Sequence, residues 1–234
     1  MAGSIYLIPN TLGEGETHNV MPNLNYDIIR NIKHFIVEDV RTARRFLKKM
    51  DRDIVIDDLT FFTLNKHTTV EELSSFLVPA KDGHDMGIIS EAGCPAIADP
   101  GAEIVKLAQE RDYKVVPLVG PSSILLALMA SGFNGQSFAF VGYLPIKDNE
   151  RTLTIKHLEK RAQVEKQSQI FIETPYRNMK MMEELLTTCH KETKLCVACD
   201  ITLETEYIKT KSIASWKKGE LPDLNKRPCI FILY

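Results

Sequence analysis

Short apolar runs alternate with amphipathic stretches along the first half of the chain. The runs have the length and β-branched content of buried strands, and the stretches between them place apolar residues at helical spacing. The predicted strands span residues 4–9, 34–39, 53–57, 86–90 and 114–120. The predicted helices span residues 25–33, 41–50, 69–77 and 102–111. This alternation is typical of a mostly parallel sheet covered by helices.

The second half of the chain has a different order of elements. Helices are predicted over residues 122–130, 149–165 and 178–189, and strands over residues 138–143, 169–173, 194–200, 208–216 and 227–234. The last three strands have only short links, so we expect them to pair antiparallel. The sequence therefore predicts an α/β fold of two domains. Residues 1–117 form an N-terminal domain with a mostly parallel sheet, and residues 118–234 form a C-terminal domain with a mixed sheet.

Composition and charge narrow the class of protein. The chain has 234 residues, of which 44% are hydrophobic, and its 29 basic residues face 31 acidic ones. This balance is ordinary for a globular protein and does not by itself indicate nucleic-acid binding. No apolar run reaches the roughly 20 residues of a membrane span, and the N-terminal residues lack a signal-peptide pattern. We therefore expect a cytoplasmic protein without membrane contact.

A segment rich in Gly and Pro, SEAGCPAIADPG, follows the fourth predicted strand at residues 90–101. Gly lets a ligand approach the backbone closely, and Pro restricts the shape of a loop. Similar loops follow the first and fifth strands, at residues 9–15 and 120–123. Because ligands of open α/β sheets bind at the carboxyl ends of the strands, the three loops predict a ligand cleft. The alternative for residues 90–101 is a rigid helix entry without a ligand.

The loops match none of the common phosphate-binding or metal-binding patterns. The dinucleotide fingerprint and the P-loop are both absent from the sequence. Cys196 and Cys199 form a CxxC in a predicted strand, where positions i and i+3 point to opposite faces. The sequence therefore predicts no metal site.

Longer motifs connect the chain to a known family. They include YLIPNTLG at 6–13, ISEAGCPAIADPG at 89–101, VVPLVGPSS at 115–123, FVGYLP at 140–145 and IFIETPYR at 170–177. In these motifs the chain resembles the tetrapyrrole (corrin/porphyrin) methylase superfamily of S-adenosylmethionine-dependent methyltransferases. Within it, the chain is most similar to the ribosomal small-subunit methyltransferase I branch, which methylates a cytidine ribose 2′-hydroxyl of 16S rRNA.

The resemblance implies a cofactor site and an assembly. It implies two α/β domains with S-adenosylmethionine in the cleft between them, and a homodimer. The implied cofactor contacts in the first domain are Pro9, Ala92, Gly93, Cys94, Pro95 and Ile97. The implied contacts in the second domain are Ser122, Ser123, Glu173, Ile201 and Thr202.

Methyl transfer to a hydroxyl requires a group that accepts the hydroxyl's proton. The candidates are Glu38 and Asp39 in VEDVRT, with Arg41 orienting them or holding a phosphate. The alternative is that Glu38 and Asp39 cap the helix that begins near Val40. His67 is a further candidate base, although a single loop histidine is more often solvated.

Two groups of basic residues are candidates for an RNA-facing surface, although such runs are usually solvated helix faces. They are Arg44, Arg45, Lys48 and Lys49, and Lys147, Arg151 and Lys156. The sequence thus predicts an S-adenosylmethionine-dependent methyltransferase that needs no metal and acts on a ribose of 16S rRNA. The alternatives are a methyltransferase for another small molecule or a protein, and a cofactor-binding regulatory homologue without activity.

Overall fold

The structure is a computed structural model that describes residues 2–65 and 68–234. The chain divides into two compact units, Met1–Ser122 and Ser123–Tyr234. The sequence places this division after residue 117. The candidate base His67 lies outside the described residues.

The first unit is built on a parallel sheet of five strands in the order β3-β2-β4-β1-β5. Its strands are β1 (Ile5–Ile8), β2 (His34–Val37), β3 (Thr60–Thr63), β4 (Met86–Ile89) and β5 (Val115–Pro117). Its helices are α1 (Asn23–Asn31), α2 (Val40–Met50), α3 (Val70–Phe76), α4 (Val78–Lys81) and α5 (Gly101–Glu110). Every neighbouring pair of strands is parallel, which confirms the predicted parallel sheet.

Helices bury both faces of this sheet, which explains why its central strands are largely apolar. Phe35 and Val37 lie in one core cluster with residues of α1 and α2. Ile36, between them in the chain, lies in a second cluster with residues of α3 and α5. The alternation follows from the opposite directions of successive side chains in a strand.

The predicted strand at residues 53–57 is wrong. A single 3₁₀ turn occupies Ile56–Asp58, and the strand next to β2 is the following segment, Thr60–Thr63. The ring of Phe61 stacks on Phe35, with 5.9 Å between their centroids. The aromatic segment therefore has a packing partner in β2, whereas three aspartates flank the three apolar residues of 53–58.

The second unit contains a mixed sheet in the order β6-β7-β10-β8-β9. Its strands are β6 (Phe138–Tyr143), β7 (Ser168–Ile172), β8 (Lys194–Cys199), β9 (Tyr207–Ser212) and β10 (Cys229–Leu233). Its helices are α6 (Ser123–Ser131), α7 (Asp148–Glu165), α8 (Asn178–Thr188) and α9 (Ile213–Lys218). Strands β6 and β7 are parallel and the other pairs are antiparallel, which confirms the predicted mixed sheet.

Two predictions in the second unit are corrected. The strand predicted over 208–216 ends at Ser212, whose side chain accepts a hydrogen bond from the backbone N–H of Ser215 and caps α9. The second candidate RNA-facing group does not form one basic surface. Its Arg151 is buried at 3% exposure and binds Glu184 and Asp148, because a buried guanidinium requires paired carboxylates.

Candidate functional site at the carboxyl ends of the first sheet

Four strands of the first sheet end in one row. Their last residues are register partners, namely Ile8, Ile89, Val37 and Thr63. The residues that follow begin four loops at the same edge of the sheet, namely Pro9, Ser90, Glu38 and Leu64. This edge is where open parallel sheets bind their ligands.

Backbone and side-chain hydrogen bonds join the loops after β1 and β4. The N–H of Asn10 donates to the carbonyl of Gly93 at 2.9 Å, and the N–H of Gly93 returns a bond to Asn10 at 3.1 Å. The buried side chain of Asn10 donates through Nδ2 to the carbonyls of Ser90 at 3.0 Å and Glu91 at 3.2 Å. The Oγ of Ser90 donates to the carbonyl of Gly93 at 2.8 Å. These bonds hold the loop containing Gly93 in one conformation.

The loop after β5 contacts both of these loops. Gly93 has a positive φ of 69°, and a Cβ there would lie 3.5 Å from the carbonyl oxygen of Pro121. The thiol of Cys94 also approaches that oxygen, at 3.6 Å. Gly120 lies so close to Pro9 that a Cβ would come within 2.2 Å of the proline ring. The structure therefore brings together the three loops that the sequence singles out.

Asp99 fixes the far end of the loop after β4. Its Oδ1 accepts hydrogen bonds from the backbone N–H groups of Ala96 and Gly101, both at 2.8 Å. Ala96 and Ala98 have positive φ values of 65° and 59°, which are unfavourable for residues other than Gly. The two bonds to one carboxyl oxygen offset that cost and set the loop's path into α5.

A cavity of about 540 Å³ opens beside this loop. Its volume lies in the range of small-molecule sites. The cavity is lined by residues that follow β2, β3 and β4, namely Glu38, Leu64, Asn65, Ala98, Asp99 and Pro100. Glu38 and Asp99 carry carboxyl groups, and Leu64, Ala98 and Pro100 are apolar. The cavity therefore presents both apolar surface and groups that exchange protons.

The carboxyl groups of the cavity have raised pKa values. Burial raises the pKa of Glu38, and the nearby carboxylates of Asp99 and Glu91 raise it further. Burial also raises the pKa of Asp99, against the opposing effect of its two backbone hydrogen bonds. A carboxylate with a raised pKa is a stronger base than an exposed one, so Glu38 has the chemistry of a proton acceptor.

Asp39 differs from Glu38 in its surroundings. Its carboxylate caps α2, accepting hydrogen bonds from the N–H of Thr42 at 2.8 Å and from the Thr42 hydroxyl at 3.2 Å. The bond from the Thr42 N–H lowers the pKa of Asp39, and nearby Arg41 lowers it slightly more. The capping role considered for this pair therefore describes Asp39, whereas Glu38 lines the cavity. Arg41 is exposed in the first turn of α2.

The remaining candidate contacts of the first unit differ in exposure. Pro9 and Pro95 are buried in the packing of the loops, and Ala92 is exposed. Ile97 is 53% exposed, and Val119 in the loop after β5 is 73% exposed. These loops thus present apolar surface as well as backbone polar groups. Ser122 is the last residue of the unit.

In the second unit, Glu173 and the pair Ile201–Thr202 follow β7 and β8. Both strands pair antiparallel with β10, so they run in the same direction and end at one edge of the second sheet. The buried carboxylate of Glu173 accepts hydrogen bonds from the N–H of Thr174 at 2.6 Å and from Arg177 at 2.5 Å. Ser123 begins α6.

A strained turn carries Ile201 and Thr202. Asp200 and Thr202 have positive φ values of 50° and 72°. The carboxylate of Asp200 binds Arg227 at 2.7 Å and the hydroxyl of Thr205 at 2.8 Å, which fixes the turn. Ile201 is buried and Thr202 is exposed.

Asn10 and Ser90 were missed as site residues by the sequence analysis, and Asp99 was considered only at the helix entry. Asn10 and Ser90 follow strands β1 and β4, and Asp99 lies at the end of the loop after β4. These positions are the sequence signal that could have identified the three residues. Within residues 2–65 and 68–234, the structure contains no group of three or more His, Cys, Asp or Glu side chains that could hold a metal ion. No helix in the same ranges is long and apolar enough to span a membrane.

Known proteins are similar to this chain in sequence and in fold. The family model described as Tetrapyrrole (Corrin/Porphyrin) Methylases matches residues 25–216. A protein of Buchnera aphidicola named "Ribosomal RNA small subunit methyltransferase I" is 27% identical, covering 99% of this chain and 78% of its own. A protein of the same name from Vibrio cholerae is 28% identical over 93% of this chain and 75% of its own.

Solved structures with low sequence identity establish the fold. The methyltransferase CobJ aligns with a TM-score of 0.63 and 15% identity, covering 99% of this chain and 94% of its own. A uroporphyrin-III C-methyl transferase from Thermus thermophilus, complexed with S-adenyl homocysteine, has a TM-score of 0.59 and 16% identity. It covers 99% of this chain and 97% of its own.

Proposed function

The chain belongs to the tetrapyrrole (corrin/porphyrin) methylases and is an S-adenosylmethionine-dependent methyltransferase, and from this premise we propose that it methylates a ribose 2′-hydroxyl of small-subunit rRNA. The observation that carries the proposal is the half-buried carboxyl of Glu38 on the wall of the 540 Å³ cavity. Its position and raised pKa suit it to accept the proton of a hydroxyl that enters the cavity.

The acceptor is chosen from the relatives that match most of the chain. Proteins named for methylation of small-subunit rRNA align with 93% to 99% of it. The solved uroporphyrin-III C-methyl transferase shares only 16% of its residues. The nearer sequence relationship therefore favours rRNA over a tetrapyrrole.

The loops after β1, β4 and β5 fit the cofactor. They combine a hydrogen-bonded backbone at Gly93 with the exposed apolar side chains of Ile97 and Val119. We assign the contacts in this unit to Pro9, Ala92, Gly93, Cys94, Pro95, Ile97 and Ser122. Ser123, Glu173, Ile201 and Thr202 are assigned as the contacts from the second unit.

The chemistry follows from position and proton transfer. Bound S-adenosylmethionine would supply an electrophilic methyl group, whose bond to sulfur breaks as S-adenosylhomocysteine leaves. The acceptor oxygen must therefore approach the methyl carbon in line with that bond. Glu38 removes the hydroxyl proton as the new O–C bond forms. Asp99 places a second carboxylate near Glu38 and disfavours the charged form of Glu38. Asp39 holds the first turn of α2 and takes no proton in this scheme.

Transfer of a tritium-labelled methyl group tests the proposal. Purified protein is incubated with labelled S-adenosylmethionine and small ribosomal subunits from cells that lack the gene, and the rRNA is digested and mapped. The proposal expects one labelled nucleotide carrying a 2′-O-methyl group, and loss of the label with Glu38→Gln. Label in protein or in a small molecule, with no label in the rRNA, would show that rRNA is not the acceptor.

Binding of the cofactor is tested separately. Calorimetry with S-adenosylhomocysteine should show binding to the wild type and its loss with Gly93→Val, because a branched side chain is strained at positive φ and lies against Leu12. Gly135→Val is the control, since a Cβ there meets no atom within 4 Å. Equal affinity in both variants would remove the Gly93 loop from the cofactor site.

The proposal also includes a cytoplasmic homodimer. Large exposed apolar side chains support an interface, among them Met129 at 78% exposure and Leu153 at 67%. Sedimentation equilibrium of the purified protein should give twice the mass of the chain. A single mass of 26.5 kDa across the concentration range would exclude the dimer.

A further inference from the structure

We propose that the exposed face of α2 binds the phosphate backbone of the RNA whose ribose enters the Glu38 cavity. This inference rests on the proposed function and assigns its binding surface. We call this surface the α2 basic face and define it by Arg41, Arg44, Arg45, Lys48 and Lys49.

The charge of α2 is concentrated on one side. Its sequence, VRTARRFLKKM, contains five cations and no acid in 11 residues. At 100° per residue, the five cations fall within one side of the helix. The opposite side is buried in the core and consists of Ala43, Phe46, Leu47 and Met50. The cations therefore form one continuous surface about 12 Å long.

This surface differs from other charged helices of the chain. Helix α7 has four acids and four bases in 18 residues, so its charges balance. Ion pairs bind Arg151 and Arg161 of α7 to carboxylates. In the part of the chain that the structure describes, none of the cations on the α2 basic face forms an ion pair. The α2 basic face is positively charged although the whole chain has a net charge of −2.

The acids at the two ends of α2 have other partners. Asp39 accepts hydrogen bonds from Thr42, and its charge also lies near Arg41. Asp51, which follows the helix, forms a 2.5 Å ion pair with Arg30 and lies near Lys48. Neither carboxylate covers the middle of the helix, so Arg45 and Lys49 remain available to an anion.

The α2 basic face begins next to the cavity. Glu38 lines the cavity, and Arg41 follows it by three residues in the first turn of the helix. Successive phosphates of an RNA strand repeat at a spacing shorter than the length of this face. A strand with its ribose at Glu38 therefore has neighbouring phosphates within reach of the cations.

RNA fits this surface better than an acidic protein segment. The cations are all Arg or Lys on one exposed helix side, and Arg44 lies over the ring of Phe61 at 5.5 Å from its centroid. A guanidinium that packs on a ring is also a group on which a base can stack. The phosphates of an RNA strand would bind the cations of the α2 basic face, and an adjacent base would stack on the planar guanidinium of Arg44.

A charge-removal pair with a matched control tests the proposal. The variant is Arg45→Gln with Lys49→Gln, and the control is Lys156→Gln with Lys160→Gln on α7. Both pairs are exposed, have i, i+4 spacing and lose two positive charges. The probe is a fluorescein-labelled single-stranded RNA of about 20 nucleotides, followed by fluorescence anisotropy over a range of salt concentrations.

The expected effect follows from counterion release. Each phosphate contact on a single strand contributes about 0.7 to the slope of log K against log salt. Losing two contacts should lower the slope by about 1.4 and weaken binding roughly 25-fold at 0.1 M salt. The α7 control should bind as the wild type does. Affinity for S-adenosylhomocysteine should be unchanged in both variants.

Three other outcomes would overturn the proposal. An unchanged slope in the α2 variant shows that RNA binds elsewhere, and an equal change in both variants shows only an effect of net charge. Competition by poly-glutamate as strong as by RNA would favour an acidic protein partner. If RNA binds through α2 but receives no methyl group, the proposed function fails and the binding surface stands.

Discussion

Asp99 offers a sharp test of how the loop after β4 prepares the site. One oxygen of its side chain accepts the N–H groups of Ala96 and Gly101, both at 2.8 Å. Asp99→Asn keeps an acceptor oxygen in the same place and removes the charge. Asp99→Ala removes the acceptor. The two variants thus separate the loop's shape from its charge.

The size of the effect follows from the two hydrogen bonds. Each contributes about 1 kcal/mol of net free energy, so Asp99→Ala should cost the loop's ordered conformation about 2 kcal/mol. Ala96 and Ala98, at positive φ, then leave their strained conformations more readily. A ligand that binds only the ordered loop loses affinity in proportion to the population of that loop, so its Kd should rise by at most roughly 30-fold. Asp99→Asn should change the Kd by less than about threefold.

Calorimetric titration with S-adenosylhomocysteine measures both constants, and far-ultraviolet circular dichroism checks that each variant is folded. Equal affinity of Asp99→Ala and wild type would refute the reasoning, because the loop would then hold its shape without Asp99. A loss as large in Asp99→Asn as in Asp99→Ala would also refute it, since charge rather than hydrogen bonding would determine affinity.

Three further substitutions test the site and its supports. Glu38→Gln should lower kcat by about 10²-fold to 10⁴-fold with unchanged cofactor affinity; in the wild type, turnover should rise with pH as Glu38, whose pKa burial and neighbouring carboxylates raise, loses its proton. Asp39→Ala should lower the thermal midpoint at neutral pH, and the difference should shrink in acid, because the depressed pKa of Asp39 stabilises the fold only above its titration. Gly120→Ala should cost about 1–3 kcal/mol in urea unfolding, since its Cβ would meet Pro9 at 2.2 Å, whereas Gly135→Ala has open space and should not.

The sequence predicted the elements that carry strong apolar patterns. The strands of both sheets at residues 86–89 and 138–143 and the long helix of the second unit follow from periodicity alone. The strand at Thr60–Thr63 did not, because two polar ends and two aromatics make a short pattern without clear alternation. Its place next to β2 depends on the contact of Phe61 with Phe35, which is distant in sequence.

The sequence predicted only part of the site, because sequence patterns mark local features and not contacts between distant segments. Gly and Pro marked the loops, and the order of strands placed them at one edge of a sheet. Asn10 was not recognised, since its side chain binds carbonyls 80 residues away and only the pairing of β1 with β4 brings them together. Glu38 and Asp39 were equivalent in the sequence. The helix N-cap takes one carboxylate, and the cavity receives the other.

The charges of the first unit divide the recognition of RNA between two places. The cavity has the carboxyl groups of Glu38 and Asp99 on its wall, and a phosphate there would meet two groups of its own charge. The α2 basic face carries five cations. A phosphate therefore belongs on the helix and the uncharged ribose hydroxyl in the cavity, which sets the direction in which the strand enters. In this arrangement salt should raise the KM for RNA steeply, because it weakens the phosphate contacts, and should leave kcat nearly unchanged, because no phosphate lies at the reacting oxygen.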